Sequence, residues 1–185
     1  EIFKELSLEE FKKYYGMMNI DFDSWDGESF YNDKMEDAIK ELEKNVKTEL
    51  SEGALIVNLE EYGMTPFMLR KSDGATTYHT RDLAAALYRL KKYKADELLY
   101  VVGSPQKLHF DQLFKVLELK GHSNKLVHVD FGHFKGLSTR KGNIVFLEEV
   151  LDKAIELAKK TINKKNPKLK NKDKVAEMIG IGAVV

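Results

Sequence analysis

The sequence predicts an α/β fold, with a parallel sheet in its second half and a small α+β lobe on the N-terminal side. Three observations carry this reading. From Thr80 onward the pattern runs helix, strand, helix, strand, loop, helix, which is the order of βαβ units. Within it, the run ELLYVVG ending at Gly103 is continuously apolar after its first residue, as in strands covered on both faces. The first third is different in kind: it is acidic and broken into short extended segments by glycine turns.

Each element follows from local pattern. Ser7, Leu8, Glu9 and Glu10 read as a capping box, so a helix is expected to start at Ser7 and end near Gly16. In NIDFDSW, Ile20 and Phe22 alternate with polar residues, predicting a short strand before a turn at Asp26 and Gly27. Met35, Ile39, Leu42 and Val46 share one side of a charged helix over residues 32–47. Extended segments are expected from Ala54 to Leu59 and from Phe67 to Lys71, with turns at Gly63 and at Asp73 and Gly74.

Leu83, Ala86, Leu87 and Leu90 then take helical spacing behind Thr80, read as the N-cap. Phe110, Leu113, Phe114 and Leu117 predict a helix closed by Gly121, and KLVHVDF a further strand. After a strand-like run at Ile144, Val145 and Phe146, a last helix carries Leu147, Val150, Leu151, Ala154, Ile155 and Ala158 on one apolar face.

Composition narrows the function classes. Hydrophobic residues make up 43% of the 185 and charged residues 32%, ordinary for a globular protein with a proper core. No apolar run approaches the roughly 20 residues that cross a bilayer, and no signal-peptide pattern is visible, so no membrane partner is expected. Cysteine is absent, which excludes disulfides and thiolate metal sites and points to a reducing cytoplasm. The 30 basic and 30 acidic residues balance, against a generic nucleic-acid binder held by bulk charge. The lysine-dense tract from Lys159 to Lys174 reads as a helix end with a solvated linker rather than an RNA contact. The five histidines show no ligand pairing on one helix, so no metal site is expected. Both termini read as cut from a longer protein, since EIFKEL lacks a methionine and GIGAVV stops on an apolar run.

Three constellations have the residue types that chemistry needs. In DGATTYHTRD, Tyr78 and Asp82 lie four apart at a helix start and can face one ligand; a carboxylate there suits a guanidinium. An acidic residue favoured only by the helix dipole is the plainer account. In GSPQKLHF, Gly103 follows a buried strand and opens a helix N-terminus, with Gln106 and His109 on its first turn. Its spacing fits neither the phosphate-loop nor the dinucleotide fingerprint. In FKGLSTRKGN, Ser138, Thr139, Arg140 and Lys141 lie between Gly136 and Gly142, a hydroxyl-bearing cationic loop suited to a phosphate chain. A basic surface hairpin is the alternative.

In order and together, these segments resemble one family, the arginyl-tRNA synthetases of class I. The likeness is strongest from DGATTYHTRDLAAALYR through LYVVGSPQKLHFDQLFKVLE to FGHFKGLSTRKGNIVFLEEVLD, fair over KVAEMIGIGAV, and loose over the first third. The resemblance implies that residues 72–147 form the second half of a Rossmann-type catalytic sheet, that residues 1–71 are a helix with an insertion-like lobe, and that residues 148–185 lead toward a helical anticodon-binding domain. It implies ATP, used with Mg2+, as a substrate, L-arginine and tRNA(Arg) as partners, and a cytoplasmic location.

By the same resemblance Tyr78, Asp82 and Gln106 bind arginine, with Asp82 facing the guanidinium, and Gly103, His109 and Gly136 bind ATP. GLSTR stands where the family's KMSKS loop closes over the triphosphate, so Ser138, Thr139, Arg140 and Lys141 are the expected catalytic residues. Gly136 and Thr139 replace that motif's two lysines, leaving the compensating cation among Lys135, Arg140 and Lys141. The family's HIGH motif does not occur in these residues, so the chain alone is expected to be inactive. A non-catalytic synthetase-derived module that binds nucleotide or RNA, and another α/β nucleotidyl-transfer enzyme, are the alternatives.

Overall fold

The computed structural model describes residues 2–122, 125–132 and 145–185. Two units divide the chain, residues 26–133 and residues 1–25 with 134–185.

In the larger unit, a 3-10 segment, Glu28–Lys34, leads directly into helix α2, Met35–Glu43. Strands β1 (Glu49–Ser51), β2 (Ala54–Val57) and β3 (Phe67–Arg70) form an antiparallel sheet in that order. The β1–β2 connection and the bend at Gly63 need left-handed backbone: Gly53 has φ +80° and Gly63 φ +68°. Helix α3 (Tyr78–Tyr93), strand β4 (Glu97–Gly103), helix α4 (Lys107–Leu119) and strand β5 (Lys125–Phe131) follow. β4 and β5 pair in parallel with Leu99 opposite Val127 and Val101 opposite Val129, α4 being the crossover that a parallel pair requires.

One core joins these parts. Leu42 of α2, Leu59, Phe67 and Leu69 around β3, Leu83 and Ala86 of α3, and Leu113 and Leu117 of α4 are completely buried. The run Ala84, Ala85, Ala86 is buried throughout, which lets other elements approach α3 on more than one side. The antiparallel strands make no ladder with β4 or β5.

The smaller unit holds helices α1 (Ile2–Met17), α5 (Leu147–Lys165) and α6 (Lys172–Gly182). α5 and α6 pack on each other around buried Leu151, Ile162 and Ala176. Among the described residues, no helix is long and apolar enough to cross a membrane.

Several expected elements differ. α1 runs through Ser7 rather than starting there, so Ser7 caps nothing. NIDFDSW forms no strand; Phe22 and Trp25 instead stack edge-on, centroids 4.9 Å apart, with Tyr15 of α1 4.9 Å from Phe22. Three aromatic contacts replace the ladder that a lone, unpaired strand could not have formed. The helix expected over residues 32–47 is shorter, its first turns being 3-10. α3 begins two residues before Thr80, with Thr77 as its N-cap, because Thr80 turns its hydroxyl inward. Val145 and Phe146 lead into α5 without strand structure, and the backbone N–H of Phe146 donates to Glu149 Oε2 at 3.2 Å. The face of β4 that carries Leu99 and Val101 is exposed rather than covered.

Candidate functional site

The site lies in the larger unit, where the N-terminal turns of α3 and α4 meet. Two threonines fix the start of α3. Thr77 Oγ1 donates to Met68 O at 2.7 Å, and Thr80 Oγ1, fully buried, donates to Leu69 O. Both acceptors are carbonyls of β3, so the first turn of α3 is pinned to a buried strand and Tyr78 and Asp82 inherit its position. Arg81 faces elsewhere: its guanidinium bonds Glu28 Oε2 at 2.9 Å and Asn32 Oδ1 at 3.2 Å. The cation beside Asp82 in sequence is thus held by the Glu28–Lys34 segment.

Asp82 itself faces α4. Its Oδ2 lies 2.6 Å from His109 Nε2, while 38% of the carboxylate side chain stays accessible. Among the described residues no lysine or arginine pairs with it. Around this pair is a nest of rings. Tyr78 stacks on His79 at 4.0 Å and meets His109 edge-on at 5.0 Å; His79 meets His109 at 4.9 Å. Tyr78 is 54% exposed, so its ring and hydroxyl look out of the cluster. Burial, with a smaller push from His109, drives the His79 imidazole down to about 4, so it is neutral at physiological pH. A cavity of about 580 Å³ opens beside Tyr78 and His79, against Met68, Lys71, Leu108 and Gln112.

At the end of β4, Gly103 is buried and the chain turns through Ser104–Gln106 into α4. Ser104 Oγ lies 2.9 Å from Asp130 Oδ2 and 3.0 Å from Phe131 O, tying the carboxyl ends of β4 and β5 together. Ligands of parallel sheets bind at such ends. Gln106 is the N-cap of α4 and is exposed, one turn ahead of His109, with its side chain hydrogen-bonded to none of the described residues.

Of the residues singled out in the sequence, the structure thus brings His109 against both Tyr78 and Asp82 and sets Gln106 and Gly103 on the adjoining turn. His109 is only 6% exposed and engages a carboxylate rather than an open face. Gly136, Ser138, Thr139, Arg140 and Lys141 lie outside the described residues. His79, Ser104 and Asp130, not singled out as site residues by the sequence, also stand at these turns. Pairing of β4 with β5 places Asp130 within reach of Ser104, and no local pattern reveals that register. His79 stood beside Tyr78 in the sequence, and an apolar setting for its ring emerges only when α3 and α4 meet.

The arrangement is that of an α/β domain whose parallel strand pair is followed by a helix start, with a partly accessible carboxylate held by a buried imidazole beside an exposed aromatic. Residues 2–185 match the model of the tRNA synthetases class I (R), catalytic domain, and the chain belongs to that family. Among its relatives, the arginine–tRNA ligase of Clostridium perfringens is 56% identical over 192 residues, which takes in 100% of this chain and 34% of that protein. That of Halothermothrix orenii is 55% identical over 188 residues, 98% of this chain and 33% of the relative. The chain therefore spans about a third of the length of the relatives it matches. The arginyl-tRNA synthetase structure from Plasmodium falciparum superposes with a TM-score of 0.83 at 26% identity, covering 97% of this chain and 31% of that one. The Thermus thermophilus arginyl-tRNA synthetase shares the fold, with a TM-score of 0.76 at 21% identity over 91% of this chain and 36% of its own.

Proposed function

We propose that this chain is the arginine-binding part of an arginine–tRNA ligase, which joins L-arginine to ATP and passes the arginyl group to tRNA(Arg) in the cytoplasm. In the first step an arginine carboxylate oxygen attacks the α-phosphorus of ATP, supplied as its Mg2+ complex. The bond to the bridging oxygen breaks, and pyrophosphate leaves from arginyl-adenylate. A ribose hydroxyl of the terminal adenosine then attacks the acyl carbon; AMP departs and the hydroxyl proton is lost. In such chemistry the protein mainly positions reactants and offsets charge.

The observation that carries the reading is Asp82: a partly accessible carboxylate, anchored on one oxygen by His109 and without a lysine or arginine partner among the described residues. A guanidinium fits it by two parallel hydrogen bonds. Tyr78 closes one side of that position and Gln106 offers an amide from the neighbouring turn. Gly103 lets ATP approach the backbone at the end of β4. The sequence of residues 136–141 supplies hydroxyls and cations for the departing pyrophosphate. In this reading residues 72–147 are the second half of a Rossmann-type sheet, the antiparallel strands are an insertion, and residues 148–185 lead to an anticodon-binding domain.

The test is kinetic, in the complete protein that carries this chain, with ATP–pyrophosphate exchange measured in the presence of tRNA. Asp82→Ala removes a desolvated charge partner worth about 2–5 kcal/mol, so the arginine KM should rise at least about thirtyfold, with the ATP KM within about twofold. An arginine KM that stays within about twofold of wild type overturns the assignment.

A further inference from the structure

We infer that His109 is a positioning residue for amino-acid selection: its Nε2–H holds Asp82 in the one rotamer that presents the free carboxylate oxygen to the substrate guanidinium. This rests on the reading of Asp82 as the guanidinium partner and adds a residue and a mechanism to it.

The ring's surroundings make the case. His109 is buried on the first turn of α4, stacked parallel to Phe67 at 6.5 Å and edge-on to Tyr78 at 5.0 Å and Phe110 at 5.2 Å. Every one of these is a packing contact that a phenylalanine ring would also make. The imidazole adds two nitrogens. Nδ1 is buried and has no hydrogen-bond partner among the described residues, a plain cost of having histidine here. Nε2 lies 2.6 Å from Asp82 Oδ2. Phenylalanine would avoid the cost of Nδ1, so the Nε2 contact is what histidine contributes at this position.

The tautomer follows. Among the described residues a proton on Nδ1 has no acceptor, whereas one on Nε2 points at a carboxylate oxygen, so Nε2 is the nitrogen that carries the donated proton. Held in this way, Asp82 loses rotational freedom before the substrate arrives. The backbone below it is already immobile, since Thr80 ties the same helical turn to β3. Anchoring both ends of a short side chain lowers the entropy lost on binding, which is how preorganised sites gain affinity. The 6% exposure of the ring leaves it little face for a nucleotide, so its influence passes through Asp82.

Four variants of the complete protein, Asp82→Ala among them, with arginine KM, ATP KM and thermal midpoint measured together, decide the matter. His109→Phe keeps the ring packing and deletes the Nε2–H. Its arginine KM should rise about ten- to a hundredfold, the range for a hydrogen bond to a charged group, with the ATP KM within about twofold. His109→Gln restores an N–H donor near the same point and should recover the arginine KM to within about threefold of wild type, whatever it does to the thermal midpoint. In the double variant His109→Phe with Asp82→Ala, the arginine KM should match that of Asp82→Ala alone, because nothing remains to be positioned. If Asp82→Ala raises the arginine KM but His109→Phe leaves it within about twofold, the positioning role is wrong and the arginine site stands. If Asp82→Ala itself is silent, the arginine site is wrong and this role falls with it. A loss in His109→Phe that His109→Gln does not recover, or that strikes ATP equally, assigns His109 to packing and overturns the inference.

Discussion

Gly180 of α6 lies so close to Ile155 of α5 that a Cβ on the glycine would sit 2.6 Å from both the Ile155 Cα and its N. Those atoms are backbone and cannot swing aside, so the helix pair is built around the missing side chain. Gly180 is buried, and the neighbouring Ala176 and Leu151 complete the contact.

Gly180→Ala should therefore destabilise the smaller unit by about 1–3 kcal/mol, the usual cost of overpacking, despite alanine's better helix propensity. Gly182→Ala is the control: nothing lies within 4 Å of its Cβ, and it falls at the end of the same helix. That change should be neutral or stabilising by up to about 1 kcal/mol. Urea titration of the two variants, followed by helix circular dichroism, checks the contrast, and equal midpoints would show that the helices have room to part.

A second prediction concerns acid. His79 is pushed down to about 4 from an ordinary histidine value near 6.5, chiefly by burial and then by the neighbouring His109, with Asp82 opposing. A folded-state value below the unfolded one means that the unfolded chain binds the proton first. Stability from His79 is thus complete above about pH 6.5 and is lost as pH falls toward about 4. His122 is depressed in the same direction, mainly by burial and then by Lys120, and adds to the slope. His79→Gln cannot protonate, so its stability should fall less steeply than wild type between about pH 7 and 5, a window above most carboxylate titrations. Because the ring is partly solvated, the difference accumulated over that window should be of order 1 kcal/mol. Denaturant midpoints at a series of pH values give the two slopes; parallel lines would mean that the ring is charged as easily folded as unfolded.

How far the sequence reached can be judged from these same residues. Its helical spacings located α3, α4 and α5, and its apolar runs located β4 and β5, because apolar side chains recur in these elements at the periods that local pattern records. The failures occur where a partner distant in sequence decides. Thr80 looked like an N-cap because a threonine before a helical stripe usually is one; the carbonyl of Leu69 took its hydroxyl and moved the cap to Thr77. NIDFDSW alternated like a strand, but Tyr15 and Trp25 offered Phe22 ring contacts instead of a ladder. At the site, Tyr78 and Asp82 were legible from spacing on one helix. The bond from His109 to Asp82 crosses 27 residues, and only the packing of α4 on α3 creates it.

The last prediction comes from β4, whose composition is that of a strand covered on both sides. One side is covered: Tyr100 is buried, and Leu98 and Val102 pack on the core. The other side is open, with Leu99 59% and Val101 66% exposed beside Val129 at 42% on β5. Adjacent apolar side chains on a two-stranded sheet form a contiguous patch, not scattered exposure, and such patches drive association. The 185-residue chain on its own should bind a hydrophobic dye and self-associate at micromolar concentration. Leu99→Thr with Val101→Thr keeps β-branched or strand-compatible side chains while halving the apolar area, and should reduce both effects without unfolding α3 and α4. In a protein of the relatives' length, about three times that of this chain, the same pair of substitutions should lower the thermal midpoint if further residues cover this face. Dye fluorescence and light scattering test the first expectation, and a melting curve of the complete protein tests the second. If the double substitution leaves that midpoint unchanged, this face of β4 meets solvent in the complete protein too, and the apolar run needs another explanation.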